Sequence, residues 1–271
     1  MNVPNLERKL LKQIPLSDRI KEIILGSVLG DGCLVITKRS KNAIFAFRHG
    51  MEQEEYFMWK VNEFSEISNP KFSYWRPADG FSKNKKLYFS TRRLESLTSI
   101  CLSLKKNGKF DVKRKWLNHL TPLSLAVWWC DDGSIVSNHQ KAVFCTDGFS
   151  ENSIKVLAKY LEIVWKVKGL IWPVKRVWNK QEKIYYRIWL SNVETRKFLR
   201  IIIPYIPVKS MIRKVLLIYK DSKFQQRWIS EIKALINPQL IHFVDSEMEL
   251  KLGKLSALRE DKLREKLQKK I

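Results

Sequence analysis

Two short segments, about 100 positions apart, share one form and end in the same dipeptide. The first is Ile24-Leu25-Gly26-Ser27-Val28-Leu29-Gly30-Asp31-Gly32. The second is Leu125-Ala126-Val127-Trp128-Trp129-Cys130-Asp131-Asp132-Gly133. Each reads as an apolar helix stub that delivers a carboxylate to its C-terminal end. A helix C-terminus carries partial negative charge, so an acid there is disfavoured unless a cation stands by. In a chain of formal net charge +24, two such ends point to a metal site working on a polyanion.

Aligning the two Asp-Gly pairs brings the rest into register. Asp31 to Ser90 and Asp132 to Ser191 are both separations of 59 (90 − 31; 191 − 132). Each serine follows a strand-like run, Lys86–Phe89 or Tyr186–Leu190, and precedes a helix-like run, Arg92–Leu104 or Asn192–Ile203. An earlier strand follows each motif (Ala43–Arg48, Ala142–Thr146), and then a helix. In the second half that helix has Ser150 as N-cap, an apolar face of Ile154, Leu157, Ala158, Leu161, Val164 and Trp165, and Gly169 as its expected stop. Glu52–Phe64 is its counterpart. Ser191 with Glu194 fits a capping box. A two-fold internal repeat follows. Its boundary falls near Asn118-His119-Leu120, after which Thr121 caps the second motif helix with Pro122 at its first position. The expected division is residues 1–120, 121–236 and a charged helical extension, 237–271. That extension, with Leu250, Leu255, Leu258, Leu263 and Leu267 among its charges, packs on the body, touches nucleic acid, or does neither.

At 45% apolar and 11% aromatic residues the chain has the means to bury a core. Its 51 Lys and Arg against 27 Asp and Glu recur along the whole length. A phosphate backbone is the natural partner, with binding that weakens as salt rises. An anionic membrane surface and mere solubility are the blander readings. No apolar run approaches the length of a membrane span, and the N-terminus has no apolar signal core. Cys33, Cys101, Cys130 and Cys145 lack zinc-ligand spacing and are expected to be reduced thiols of an intracellular chain. The Lys, Ile and Asn usage is that of an AT-rich genome, such as an organelle's.

Gly26 and Gly30 share a helix face, and small residues there let a second helix come close. Motif helices packed side by side would bring Asp31 and Asp132 out together. Two carboxylates with few other ligands make a hard-oxygen site suited to Mg²⁺. Water and phosphate oxygens would complete it, for phosphodiester cleavage.

These motifs, with the Thr-Pro lead-in and Trp-x-x-Asp-Asp-Gly ending of the second, resemble the two-motif, single-chain LAGLIDADG homing endonucleases over residues 17–220. The resemblance implies a mixed α/β (α+β) fold of two pseudo-symmetric halves. Each half is a helix-flanked antiparallel β-saddle for the major groove, and the motif helices form the interface. It makes Asp31 and Asp132 the metal ligands. Gly30 and Asp131, one position earlier, count with the metal site, Asp131 being expected to cap or hydrogen-bond rather than ligate. Val127 stands where the prototype motif has glycine, so the close approach falls to Gly26 and Gly30. A basic residue late in each half maps to Lys109 and Lys214, with Lys113 and Arg213 as near alternatives. Such a lysine holds the water network and offsets transition-state charge, or else contacts phosphate.

Strand residues alternate sides, so one sheet face can present polar side chains to a groove. The candidates are Lys38, Arg39, Arg48, Arg76, Lys83, Lys85, Lys141, Lys175, Arg176, Lys180, Lys183 and Arg187, as base readers or phosphate contacts. Trp75, Trp172 and Trp178 are expected in core or hairpin packing. The expected activity is monomeric, Mg²⁺-dependent, site-specific cleavage of double-stranded DNA at a long, loosely palindromic target. The alternatives are an RNA maturase that assists splicing of its intron and a DNA-binding regulator that has lost catalysis. The expected location is organellar, a mitochondrion or chloroplast.

Overall fold

The computed structural model describes residues 14–68, 75–76, 85–106, 109–136, 139–178 and 181–268. Both halves follow one order of elements. In the first, Ser17 caps α1 (Asp18–Val28), its hydroxyl accepting from the Ile20 amide at 3.3 Å. Then come β1 (Gly32–Val35), β2 (Ile44–Gly50), α2 (Glu54–Glu63), β3 (Trp75–Arg76), β4 (Lys86–Ser90) and α3 (Glu95–Ser103). A short hairpin, β5 (Lys105–Lys106) and β6 (Lys109–Phe110), and α4 (Arg114–Leu117) lead to the second motif.

The second half starts with α5 (Pro122–Asp132). Thr121 caps it from outside and Pro122 fills its first turn, where a missing N–H costs nothing. After it run β7 (Gly133–Val136), β8 (Lys141–Phe144), α6 (Glu151–Val164), β9 (Gly169–Trp178), β10 (Gln181–Leu190), α7 (Asn192–Ile202) and α8 (Lys209–Ile212). Two further helices follow, α9 (Ser222–Leu235) and α10 (Val244–Gln268).

Each half holds a four-stranded antiparallel sheet, ordered β1-β2-β4-β3 or β7-β8-β10-β9. Gly32 pairs with Phe47, and Gly133 pairs with Phe144, so both sheets start at the same point of the repeat. One sheet face is covered by helices and supplies the core: Phe45, Phe47 and Phe89 in the first half, Phe144, Ile188 and Leu190 in the second. By strand alternation the other face carries Arg48 and Tyr88 in the first sheet, and Arg176, Lys183, Tyr185 and Arg187 in the second. In the second core Trp128 stacks on Phe144 at 4.0 Å between centroids, and Trp129 and Phe198 close around the same ring.

Some local expectations fail for physical reasons. Gly169 does not stop α6; the helix ends at Val164, and Lys166 takes the left-handed φ of 57°. Gly169 opens β9 instead, where a Cβ would come within 2.5 Å of the Ile188 side chain. The capping box at Ser191 is half made: Ser191 Oγ accepts from Glu194 N, but the Glu194 carboxylate turns to the Lys168 amide and to Lys197. In the first half no serine caps α3, which starts at Glu95 rather than at Arg92. Trp172 is not in the core: 63% of it is exposed, on β9 opposite Arg187. Among the described residues no helix is long and apolar enough to cross a membrane, and all four cysteines are free thiols.

Candidate active site at the ends of the motif helices

The site is built on the close packing of α1 and α5. A Cβ on Gly26 would stand 2.3 Å from the Ser124 carbonyl oxygen, and one on Gly30 would stand 2.4 Å from Asp131 Cβ. Only glycine allows either approach. Ser124 Oγ ties the helices by donating to the Glu22 carbonyl at 2.9 Å. Gly133 has its own reason to be glycine, because the Trp129 indole lies where its Cβ would be.

The two acids leave their helices differently. α5 runs through Asp132, whereas α1 ends at Val28 and Asp31 lies beyond its C-cap, Leu29. The Asp31 amide donates to Asp131 Oδ2 at 3.3 Å, which fixes the first acid's backbone against the second motif. Burial pushes the Asp31 carboxyl up to about 6, and the charge of Asp131 adds to the rise. The Asp31 side chain nevertheless keeps 40% of its surface exposed, so solvent still reaches it. Burial, with the charges of Asp31 and Asp131, pushes Asp132 to about 7. The charge of Asp31 thus reaches Asp132 across the interface.

Lys214 answers the electrostatic problem posed by an acid at a helix end. Its ammonium donates to the carbonyl oxygens of Cys130 at 2.5 Å, Gly133 at 3.1 Å, Trp129 at 3.3 Å and Asp131 at 3.4 Å. A lysine on the last carbonyls of a helix opposes the negative end of its dipole. Burial lowers the proton affinity of Lys214, against the field of Cys130 and the three acids. Arg213 lines the hollow between α8 and α10. In the first half the backbone of Lys109 lies in β6, paired with Lys106, and its side chain is outside the described residues. Lys113 sits 3.6 Å from Asp111.

Asp131 is fully engaged. Lys60 Nζ lies 2.7 Å from Oδ1 and 2.8 Å from Oδ2, and Tyr56 Oη donates to Oδ1 at 2.9 Å. Asp31, His49 and Asp131 each place a potential ligand atom within 4.8 Å of the others. A cation using Asp131 would have to displace the Lys60 ammonium, so Asp31 is the solvent-reached member of the group and His49 its buried neighbour. His49 Nδ1 is 2.8 Å from Gln53 Oε1 and 3.5 Å from Asp31 Oδ2. Burial, then the Lys60 charge, lowers its pKa to about 4, so the ring is neutral at physiological pH. Its Nε2 is buried without a hydrogen-bond partner.

The basic candidates divide by position. Arg48, Lys85, Lys86 and His49 line one open hollow with Asp31, and the Arg48 guanidinium lies 5.3 Å from the Tyr88 ring centre. Lys38 and Arg39 lie in the β1–β2 turn and Lys141 opens β8. Arg187 grips Asp147 with two bonds of 2.7 Å, and Arg176 reaches the same carboxylate at 3.1 Å. Lys175 lies on the opposite face, paired with Glu182 at 2.7 Å. Lys83 and Lys180 lie outside the described residues, as do the side chains of Arg76, Trp75 and Trp178.

Sequence reasoning missed His49, Tyr56 and Lys60. A signal existed for Lys60: it falls on the apolar face of α2 with Tyr56, Phe57 and Val61, where a charge must find a partner. Nothing in the spacing marks His49.

The model of the LAGLIDADG DNA endonuclease family matches residues 21–198. Among curated relatives, a RecA protein of Mycobacterium gastri is 29% identical over 205 residues, covering 70% of this chain and 45% of that protein. A probable intron-encoded endonuclease of Wickerhamomyces canadensis is 26% identical, covering 69% of this chain and 79% of the relative. A cytochrome b mRNA maturase of Debaryomyces hansenii is 25% identical, covering 57% and 60%. The chain thus spans less than half the length of the RecA protein it matches. The solved structure of the homing endonuclease I-WcaI bound to its DNA recognition sequence superposes with a TM-score of 0.66 at 23% identity, over 81% of this chain and 96% of that one. That likeness concerns the fold: paired halves, each a helix-backed antiparallel sheet. With both Asp-Gly motifs and both sheets inside the matched span, the chain belongs to the LAGLIDADG DNA endonuclease family.

Proposed function

We propose that this chain is a site-specific double-strand DNA endonuclease of the intron-homing type, dependent on Mg²⁺ held by Asp31 and Asp132. One observation carries the reading. The ends of the two motif helices pack together at the junction of the halves, and the charge of Asp31 adds to burial in raising the proton affinity of Asp132. Paired carboxylates whose proton affinities are raised by burial are an all-oxygen donor set that fits a hard divalent ion. Such an ion supplies Lewis acidity and an activated water for phosphodiester hydrolysis.

The rest is work for the chain's own residues. Lys214 keeps positive charge beside Asp132, where it offsets the charge that grows on the phosphate. Lys109 is its counterpart in the first half. Gly30 gives Asp131 room, and Asp131 holds the Asp31 amide in place, a positioning role rather than ligation. His49, neutral beside Asp31, is suited to hold a water there. Arg48, Lys85, Arg176, Lys183 and Arg187 meet the duplex, with Lys38, Arg39, Lys141 and the remaining basic candidates at its edges. One chain carries both acids, so a monomer is sufficient, and the residue ranges 1–120, 121–236 and 237–271 remain the working division. The intron-encoded relatives favour an organellar setting.

The experiment is cleavage of a target recovered from a randomised duplex library. The wild type cuts both strands with Mg²⁺. Asp31→Asn and Asp132→Asn bind with unchanged affinity and do not cut. Wild-type cleavage rates in either variant sink the assignment. The match to an mRNA maturase favours a second reading, in which the same basic saddle holds intron RNA. Splicing assisted by the double Asn variant, with no cleavage by the wild type, selects that reading.

A further inference from the structure

The segment that carries Lys214 has no regular secondary structure beyond α8. It nevertheless passes through the interior: Val215, Leu216 and Leu217 are all fully buried. Buried carbonyls need donors, and here all of them come from side chains. From residue 213 to 218 the acceptors and donors are as follows. Arg213 and Leu216 accept from Lys251 Nζ at 2.9 and 2.7 Å. Lys214 accepts from Trp129 Nε1 at 3.0 Å. Val215 accepts from Trp228 Nε1 at 3.1 Å. Leu217 and Ile218 accept from the amides of Gln225 at 3.2 Å and Gln140 at 3.1 Å. Trp129 and Gln140 belong to the repeat. Trp228, Gln225 and Lys251 belong to α9 and α10, outside it.

We infer that the C-terminal extension is a brace for the active site, and that Lys251 is a positioning residue acting through Lys214. Val244, Met248 and Lys251 fall on one face of α10, at spacings of four and three. The first two are buried, which lays that face on the body. Lys251 clamps the chain on both sides of Lys214, whose ammonium in turn holds the end of α5 that bears Asp132. In the first half the chain continues past Lys109 into α4 and α5, so connectivity itself holds that segment. The second half has no following repeat, and the two extra helices take over the task. Two of the three donors of the Lys251 ammonium go to protein carbonyls, which places it to hold the chain rather than a phosphate.

This inference rests on the proposed catalytic role of Lys214, and the test separates the two. Lys251→Met keeps the aliphatic stem and removes the donor. Single-turnover cleavage at saturating protein and Mg²⁺ should fall roughly ten- to hundred-fold, the scale of a misplaced catalytic group, with the duplex Kd unchanged. Lys251→Arg should restore most of the rate. In a Lys214→Met background Lys251→Met should cost nothing further. Three outcomes overturn the inference: a wild-type rate, a weakened Kd with a wild-type saturated rate, or losses that multiply. Hydrogen exchange gives a readout free of cleavage. The amides of Lys214 and Val215, bonded to Met211 and Ile212, should lose protection in Lys251→Met. If they do while the wild type cuts no duplex, the endonuclease reading fails and the brace stands. If protection is unchanged, the brace fails. Should Lys251→Met not fold, Lys251→Gln, whose shorter uncharged amide does not span both carbonyls, is read in the same way.

Discussion

Lys60, from the first half, places its ammonium 2.7 and 2.8 Å from the two carboxylate oxygens of Asp131, from the second, with neither side chain exposed to solvent. Tyr56 and the Asp31 amide complete the acceptor's partners. Removing one partner strands a buried charge, which costs about 3–5 kcal/mol. Lys60→Met is therefore expected to lower the unfolding free energy by that much, read from the shift of the urea midpoint, and Lys60→Met with Asp131→Leu to recover most of it. A double variant no more stable than Lys60→Met would show that the pair is not the source of the loss.

The motif acids give stability an inverted dependence on pH. Ordinary carboxyls titrate near 4 in an unfolded chain, whereas Asp31 and Asp132 titrate at about 6 and about 7 when folded. The folded chain therefore holds protons that the unfolded chain releases between those limits. Without metal, their contribution makes stability fall as pH rises from about 4 to about 7. Mg²⁺ replaces the protons, so the rise in Tm on adding Mg²⁺ should be small below this window and largest above it. The Asp31→Asn/Asp132→Asn double variant should show neither effect. Calorimetry across the window, with and without Mg²⁺, decides it.

Gly26→Ala tests the helix interface. The new methyl would meet a backbone oxygen of α5 at 2.3 Å, so the helices must separate. Overpacking of this kind costs about 1–3 kcal/mol. It should also slow cleavage by spreading Asp31 from Asp132. An unchanged denaturation midpoint and rate would mean that the helices do not pack as described.

Lys183 and Lys175 lie close together on one hairpin but face opposite ways. Lys183 lies over the Tyr185 ring, 5.3 Å from its centre, on the open sheet face, and Lys175 pairs with Glu182 on the other. DNA binding should weaken steeply with salt, and Lys183→Ala should reduce the slope of log K against log salt by about 1. Lys175→Ala should leave the slope unchanged. Equal effects would place the duplex on a different face.

Much of this was legible because the chain states it twice. The separation of 59 residues between each Asp-Gly and its serine fixed the order of elements, and Thr121, Ser150 and Ser191 cap where the sequence places them. Local signals failed where a tertiary partner outbid them. Glu194 left its capping box for the Lys168 amide, and Gly169 answers to the Ile188 side chain across the sheet rather than to the end of α6. At the site, the acids were visible from the repeat, and Lys214 was named by the family resemblance. Lys60, His49 and Lys251 were not, because each takes its meaning from a partner on another element. Of the two places open to Trp172, core or hairpin, it takes the hairpin, because an aromatic on a strand does not reveal which face it occupies.

The space at Gly30 is filled by Asp131, Cβ against Cβ position. The two halves are therefore no longer interchangeable parts. A dimer of two first halves would face glycine with glycine and leave a void at its centre. A dimer of two second halves would press two buried carboxylates together without the Lys60 that neutralises them here. Having diverged here, as at Gly26 and Val127, the halves are bound to evolve as lock and key. A chimaera that takes one half from a relative inherits a working interface only if it also takes the residue facing it.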